Sequence, residues 1–207
     1  MMFDKLLMRA LCGGYDYAYC GYQLYMEDSG MCKPVTADAL NRIYIDGTVD
    51  CQAIFRYIVK SKVAIWRGIY RNSILQKNAV HFNENINRHD DLPFKVEALF
   101  AVRSVVCVPE YLYYYRIGRE GQDVACTDDR LFIHFCIFDY LDRKIVATRN
   151  QQKIDCLQLI KANTHKFIHK QIAPQWRNEY AKRAKNDLHK NMGFWRTLML
   201  MFRNKIA

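Results

Sequence analysis

Apolar residues recur at helical spacing over residues 3–12, where Phe3, Leu7 and Leu11 share one stripe with Leu6 and Ala10 beside it. Gly13-Gly14 then supplies a helix stop, since glycine accepts the left-handed conformation of a C-terminal cap. Tyr17–Tyr25 is dense in aromatics and predicts a strand, and Glu27-Asp-Ser-Gly30 turns the chain. A helix is expected over 50–60 with Ile54, Tyr57 and Ile58 inward, then a short buried strand over Val63–Trp66. Asn72 is placed to cap a helix over 73–78. The stretch Phe82–Asp91 is almost wholly polar between its ends and reads as a loop. A helix over 92–102 follows, with Leu92, Val96, Leu99 and Phe100 as its core face and Pro93 tolerated in the first turn. Ser104–Val108 predicts a strand, Pro109-Glu110 a break, and Tyr111–Arg116 a second aromatic strand. Residues 118–127 predict a mobile loop. From Asp128 the pattern is helical almost to the end, interrupted near Asn150 and Pro174. The body therefore predicts an α/β fold and the remainder an all-α extension, divided as 1–127 and 128–207.

Of the 207 residues, 51% are hydrophobic and 14% aromatic, enough to build a core and to exclude disorder. The net charge of +10 suggests nucleic acid or an anionic surface until it is split by position. Residues 1–141 hold 16 Lys+Arg and 17 Asp+Glu, whereas residues 142–207 hold 15 and 4. The body is near-neutral and the tail strongly basic. Eight cysteines occur with no C-x-x-C pair, which argues for reduced thiols in a cytoplasmic protein and against a zinc ribbon. No signal peptide and no stretch of about 18 apolar residues is present. The segment Phe194–Arg203, flanked by Lys190, Arg196, Arg203 and Lys205, has the character of an interfacial helix. Residues 190–207 could thus meet an anionic membrane at its inner face, or pack back on the body through Trp195, Leu198 and Phe202. Nucleic-acid binding ranks below both, because the tail carries no recognised motif.

Asp90-Asp91 ends the polar loop and opens a helix. One aspartate would suffice as an N-cap, and a second carboxylate leaves room for a general base. His89 beside it is either an orienting group or an ordinary loop histidine. His165 and His169 lie four apart and predict one solvated helix face, not a metal site. Arg116, at a strand end, could hold a phosphate or carboxylate. No phosphate-binding glycine loop, no G-x-S-x-G and no D-x-D occurs.

Four pieces occur in order: Trp66-Arg-Gly-Ile-Tyr70, Phe82-Asn-Glu84, Asp90-Asp91 with Phe94, and Pro109-Glu-Tyr-Leu-Tyr-Tyr-Tyr-Arg116. Together they resemble the second half of a family 2 glycosyltransferase of the bacterial polysaccharide type, and Tyr17–Tyr22 is similar to the strand after its donor site. The resemblance spans roughly residues 3–117. It implies a partial GT-A-like mixed sheet with flanking helices, and inverting transfer of a sugar from a nucleotide-sugar to a glycan acceptor hydroxyl. It also implies Asp91, paired with Asp90, as the base, with Trp66 and Tyr70 shaping the acceptor side and Arg116 near the diphosphate, and His89 is counted with them as a substrate-binding candidate. Mg²⁺ or Mn²⁺ is implied too, yet the family's D-x-D ligands, carried by its first half, are absent here. Gly68 stands where the family has Lys. The expectation is an acceptor half that needs its N-terminal half, supplied in trans or lost by truncation. The alternative is a non-catalytic remnant serving as an interaction or membrane-adaptor module.

Overall fold

The computed structural model describes residues 1–36, 46–48, 55, 58–59, 61–119, 126–190, 196 and 198–199. It divides into two units, one formed by residues 1–83 and 91–122 and the other by 84–90 and 123–207.

The first unit is a mixed α/β assembly. Helix α1 (Met2–Gly13) ends as the double glycine predicts, with Gly14 left-handed at φ 65° and its N–H returned to the last helical carbonyls. Strands β1 (Tyr17–Met26), β2 (Cys32–Pro34), β3 (Asp46–Thr48), β4 (Gly68–Tyr70) and β5 (Ser104–Ile117) form one sheet. Its order is β2-β1-β5-β3, with β4 also on β1. Only the central β1–β5 pair is parallel; β2, β3 and β4 pair antiparallel. Tyr17 to Cys20 are all buried, as expected for a parallel strand covered on both faces.

The face of α1 that packs is not the predicted stripe. Leu6 is fully buried against Ala18, Cys20, Val106 and Val108, with Met2 and Ala10 beside it, while Phe3, Leu7 and Leu11 are exposed. The pattern contained two adjacent apolar stripes. The one carrying the small Ala10 lies on the sheet.

Two strand expectations need correction. Residues Ile65–Arg67 form a 3₁₀ turn, so the strand begins at Gly68 instead of Val63. Pro109-Glu110 does not end a strand: β5 runs through it, and its pairing with β1 shifts register on either side of Gly21. A bulge absorbs the residue that lacks an N–H. Gly21 permits it, because a Cβ there would lie 2.9 Å from the Tyr111 ring and 3.1 Å from the Glu110 carbonyl.

Helix α2 (Asn72–Lys77) takes Asn72 as its first residue, without a side-chain cap. Helix α3 (Asp91–Ala101) is buried over Leu92–Leu99 on every side. Even its Lys95 is enclosed, donating to Ser61 Oγ at 2.6 Å and to the Lys62 carbonyl at 2.7 Å. Of the helix predicted over 50–60, only Phe55, Ile58 and Val59 are among the described residues. Most of the 118–127 loop and the apolar end of the tail also lie outside them.

The second unit carries α4 (Ile133–Ala147), α5 (Gln151–Gln171) and α6 (Pro174–His189). Asn150 caps α5 by accepting from Lys153 N at 3.1 Å, and Pro174 occupies the first turn of α6, so both predicted interruptions are helix starts. Its core joins Leu131, Ile168, Ile172, Tyr180 and Ala184, with Phe132, Phe135 and Trp176 against it. Lys190 pairs with Asp139 and Arg196 with Asp155 at 3.2 Å, so two of the four cations offered for a membrane are engaged within the unit. No helix among the described residues is long and apolar enough to cross a membrane.

His134 of α4 is buried, its Nδ1 at 2.9 Å from the Leu131 carbonyl and its ring 4.7 Å from His89. Burial pushes its pKa down to about 4, against the pull of the Leu131 carbonyl. The unfolded chain binds the proton more readily, so this contribution is intact above about pH 6.5 and declines as pH falls toward 4. The expected loss is about 3 kcal/mol by pH 4. Urea unfolding of His134→Gln should lack that part of the acid destabilisation; identical pH profiles for variant and wild type would refute the assignment.

Candidate functional site

On the first unit, aromatic rings gather over β5. Tyr113 and Tyr115 alternate onto one face of the strand, and the 3₁₀ turn lays Trp66 across both. The indole stacks on Tyr113 at 4.1 Å and lies within 7° of parallel to Tyr115 at 5.0 Å. Tyr22 meets it edge-on at 4.9 Å. Behind the floor sits Arg67, fully buried, its guanidinium 5.3 Å from the Tyr19 ring centroid and 5.4 Å from that of Tyr22.

Asp91 stands at the first residue of α3, where exposed N–H groups and the helix dipole favour its anion. Its charge is felt at the aromatic floor. The Tyr115 phenol is raised first by burial and then by the Asp91 carboxylate. Tyr115 thus responds to both residues, to Trp66 by stacking and to Asp91 through its charge. Tyr70 belongs to the adjoining core: it stacks on Tyr17 at 4.4 Å and meets Phe94 of α3 edge-on at 5.7 Å, which steadies the helix that presents Asp91. Burial, then the neighbouring Tyr17, pushes the Tyr70 hydroxyl pKa well up.

Arg116 is exposed at the end of β5 and held by both carboxylate oxygens of Glu27, whose own pKa is lowered chiefly by that contact. Asp90 and His89 fall in the segment 84–90, which belongs to the helical unit. His89 has a left-handed backbone, φ 53°, and its ring faces His134.

Gly68, at the position of the motif's lysine, has no room for a side chain. A Cβ would sit 2.7 Å from the Ala18 carbonyl and 2.6 Å from the Tyr17 ring. Gly68→Ala should lower unfolding stability by roughly 1–3 kcal/mol, read from thermal denaturation. An unchanged midpoint would show that β4 yields freely.

The sequence offered no sign of a buried polar network in the helical unit. Lys161 is fully enclosed, 2.8 Å from Asp142 Oδ2 and 2.9 Å from Asp187 Oδ1. Contrary to the shared solvated face predicted for His165 and His169, His165 is buried and only His169 is exposed. His165 lies 2.8 Å from both Asp187 Oδ2 and the Tyr180 hydroxyl. The i, i+4 spacing of Lys161 and His165 placed both on the core side of α5.

Asp139, Asp142 and Asp187 bring carboxylates within 4.8 Å of one another, the arrangement among the described residues that most resembles a cation site. The Lys161 ammonium already lies against two of them and Lys190 against the third. That charge balance does not fit Mg²⁺ or Mn²⁺ as a further occupant. The buried thiols are equally unreactive, with Cys20 pushed up to about 11 and Cys107 raised, in both cases mainly by burial.

No family model matches the chain. In sequence it is similar to the uncharacterized glycosyltransferase EpsJ of Bacillus subtilis, 26% identical over 115 residues. That match covers 56% of this chain but 33% of the relative, so the chain spans about a third of that protein's length. In structure it is similar to S. aureus TarS, with a TM-score of 0.59 and 13% identity over 96% of this chain and 33% of that one. TarS 1–349, solved in complex with UDP-GlcNAc, aligns with a TM-score of 0.45 over 98% of this chain and 64% of that one. The chain is glycosyltransferase-like in sequence and shares its mixed α/β fold with TarS.

Proposed function

We propose that this chain is the acceptor side of an inverting, family 2-type glycosyltransferase that moves a sugar from a nucleotide-sugar to a glycan hydroxyl. The observation that supports the reading is the Trp66 indole stacked on Tyr113 and Tyr115 in the same unit as the Asp91 carboxylate that opens α3, and the upward direction of the Tyr115 phenol, from burial first and the Asp91 charge second, agrees with it. An acceptor sugar stacked on the indole would bring a hydroxyl toward Asp91. The carboxylate takes that proton as the oxygen bonds to the anomeric carbon, while the bond to the nucleotide diphosphate breaks on the opposite face. Asp90 is assigned as the neighbouring carboxylate and His89 as a substrate-binding group. Tyr70 keeps α3 in place, and Arg116, released from Glu27, is the cation available to a phosphate at the end of β5.

The GT-A-like portion is assigned to 1–127 and the helical extension to 128–207. The contact boundary after residue 122 supports this split, with 84–90 joining the helices. Donor binding and the cation on the diphosphate belong to the first half of such an enzyme, since no D-x-D occurs in this sequence. No step here is routed through a metal.

The test is reconstitution. The chain would be combined with the first half of the Bacillus subtilis relative and assayed for transfer of labelled sugar from UDP-GlcNAc and other nucleotide-sugars to polysaccharide. Turnover only in the combined sample is expected. A reconstituted sample that binds nucleotide-sugar yet never transfers it would favour the non-catalytic adaptor reading.

A further inference from the structure

An open cavity of about 900 Å³ in the helical unit has no part in the reaction above. Phe132 and Phe135 line it, their ring centroids 5.9 Å apart, and the Arg183 guanidinium lies over both rings at 5.2 and 5.9 Å. Asn87 and Asn186 add primary amides, each able to donate and accept. Arg88, Arg130 and Lys190 line it together with Asp129, Asp139 and Asp187.

The balance of charge selects the ligand. Four cationic side chains and three aspartates line the cavity, and several are matched within the unit: Lys190 with Asp139, Asp187 with Lys161 and His165, and Arg130 with Asp128. A polyanion would have to displace these carboxylates. An uncharged polyhydroxyl ligand need displace none, because each hydroxyl can donate to an aspartate or accept from a guanidinium or amide. The Phe132 and Phe135 side chains supply apolar lining that the C–H groups of pyranose rings can meet. A volume near the upper end of the range for ligand sites, about 300–1,000 Å³, suits more than one sugar ring.

We propose that this cavity is a second carbohydrate subsite, holding an uncharged oligosaccharide segment of the acceptor on the helical unit. The assignment rests on the transferase reading for its ligand class, and its test needs neither donor nor turnover. Cellotriose and chitotriose would be titrated into the full chain and followed by saturation-transfer NMR and calorimetry. Saturation transfer to at least one trisaccharide is expected. The double variant Arg183→Ala/Asn186→Ala, at two exposed positions, should weaken its affinity by about tenfold or more. Met31→Ala, at an exposed position of the other unit, should leave this binding unchanged. Circular dichroism and the thermal midpoint of the double variant check that folding is retained. Absence of transfer with both sugars, undiminished affinity in the double variant, or displacement of the sugar by excess inorganic phosphate would each overturn the subsite. If transfer depends on Asp91 while these sugars do not bind, the subsite alone fails; if the sugars bind but Asp91 proves dispensable, the transferase reading fails.

Discussion

Lys161→Met should destabilise the helical unit by about 3–5 kcal/mol, a large share of the 5–15 kcal/mol that holds a typical domain together. The ammonium is fully enclosed between Asp142 and Asp187 and also donates to the Asp187 carbonyl at 3.1 Å. Methionine fills the volume but leaves two buried carboxylates facing each other across an apolar side chain. Urea unfolding followed by circular dichroism reads the loss, and a shift below about 1 kcal/mol would contradict it. Lys161→Met/Asp142→Leu should recover part of the stability, since apolar replacement of a buried pair costs far less than breaking it. The pH dependence has a definite sign. Burial raises the Asp187 pKa, but hydrogen bonds from His165 and Lys161 outweigh it and leave the carboxyl below its ordinary value. Its contribution is complete above about pH 4 and is lost as the solution is acidified below that. In Lys161→Met a major cause of the depression is gone, so acidification through that range should cost the variant less than wild type.

Asp91→Asn should reduce transfer in the reconstituted enzyme by about 10²–10⁴-fold, the usual contribution of a positioned general base. The substitution separates two roles. Asparagine keeps the shape and loses only the interaction of the charge with the helix N-terminus, worth about 0.3–1 kcal/mol, so the stability of α3 should change by less than about 1 kcal/mol. Asparagine cannot accept the proton. A folded, inactive Asn variant therefore identifies the base, and retained turnover assigns Asp91 to the helix start alone. Asp91→Ala removes both roles and should add a modest loss of stability to the loss of activity.

The sequence made local elements legible where one local signal governed them. Gly13-Gly14, Asn150 and Pro174 each marked a helix end or start because their backbone chemistry acts within a turn. Asp91 could be singled out because a carboxylate pair before an apolar helix is visible at any register. What was hidden depended on partners far along the chain. Pro109 reads as a break, and only the geometry at Gly21 shows that a bulge can hold it. The exposed Phe3, Leu7 and Leu11 have the same spacing as a core face, and the choice between stripes is made by the sheet beneath Leu6. Lys161 and His165 look like polar surface until Asp142 and Asp187 arrive from α4 and α6. Tyr113 and Tyr115 show their alternation, but nothing local predicts that Trp66 will lie over them.

The parallel pairing of β1 with β5 has a consequence for synthesis. Tyr17 pairs with Val105 and Met26 with Ile117, so each partner emerges from the ribosome roughly ninety residues after the other. At translation rates of about 5–20 residues per second, the apolar β1 waits on the order of 5–20 seconds for the strand that covers it. The antiparallel neighbours β2 and β4 appear sooner, yet neither lies along its full length. Over that interval the apolar residues of Tyr17–Met26 are the part of the nascent chain most open to wrong pairing.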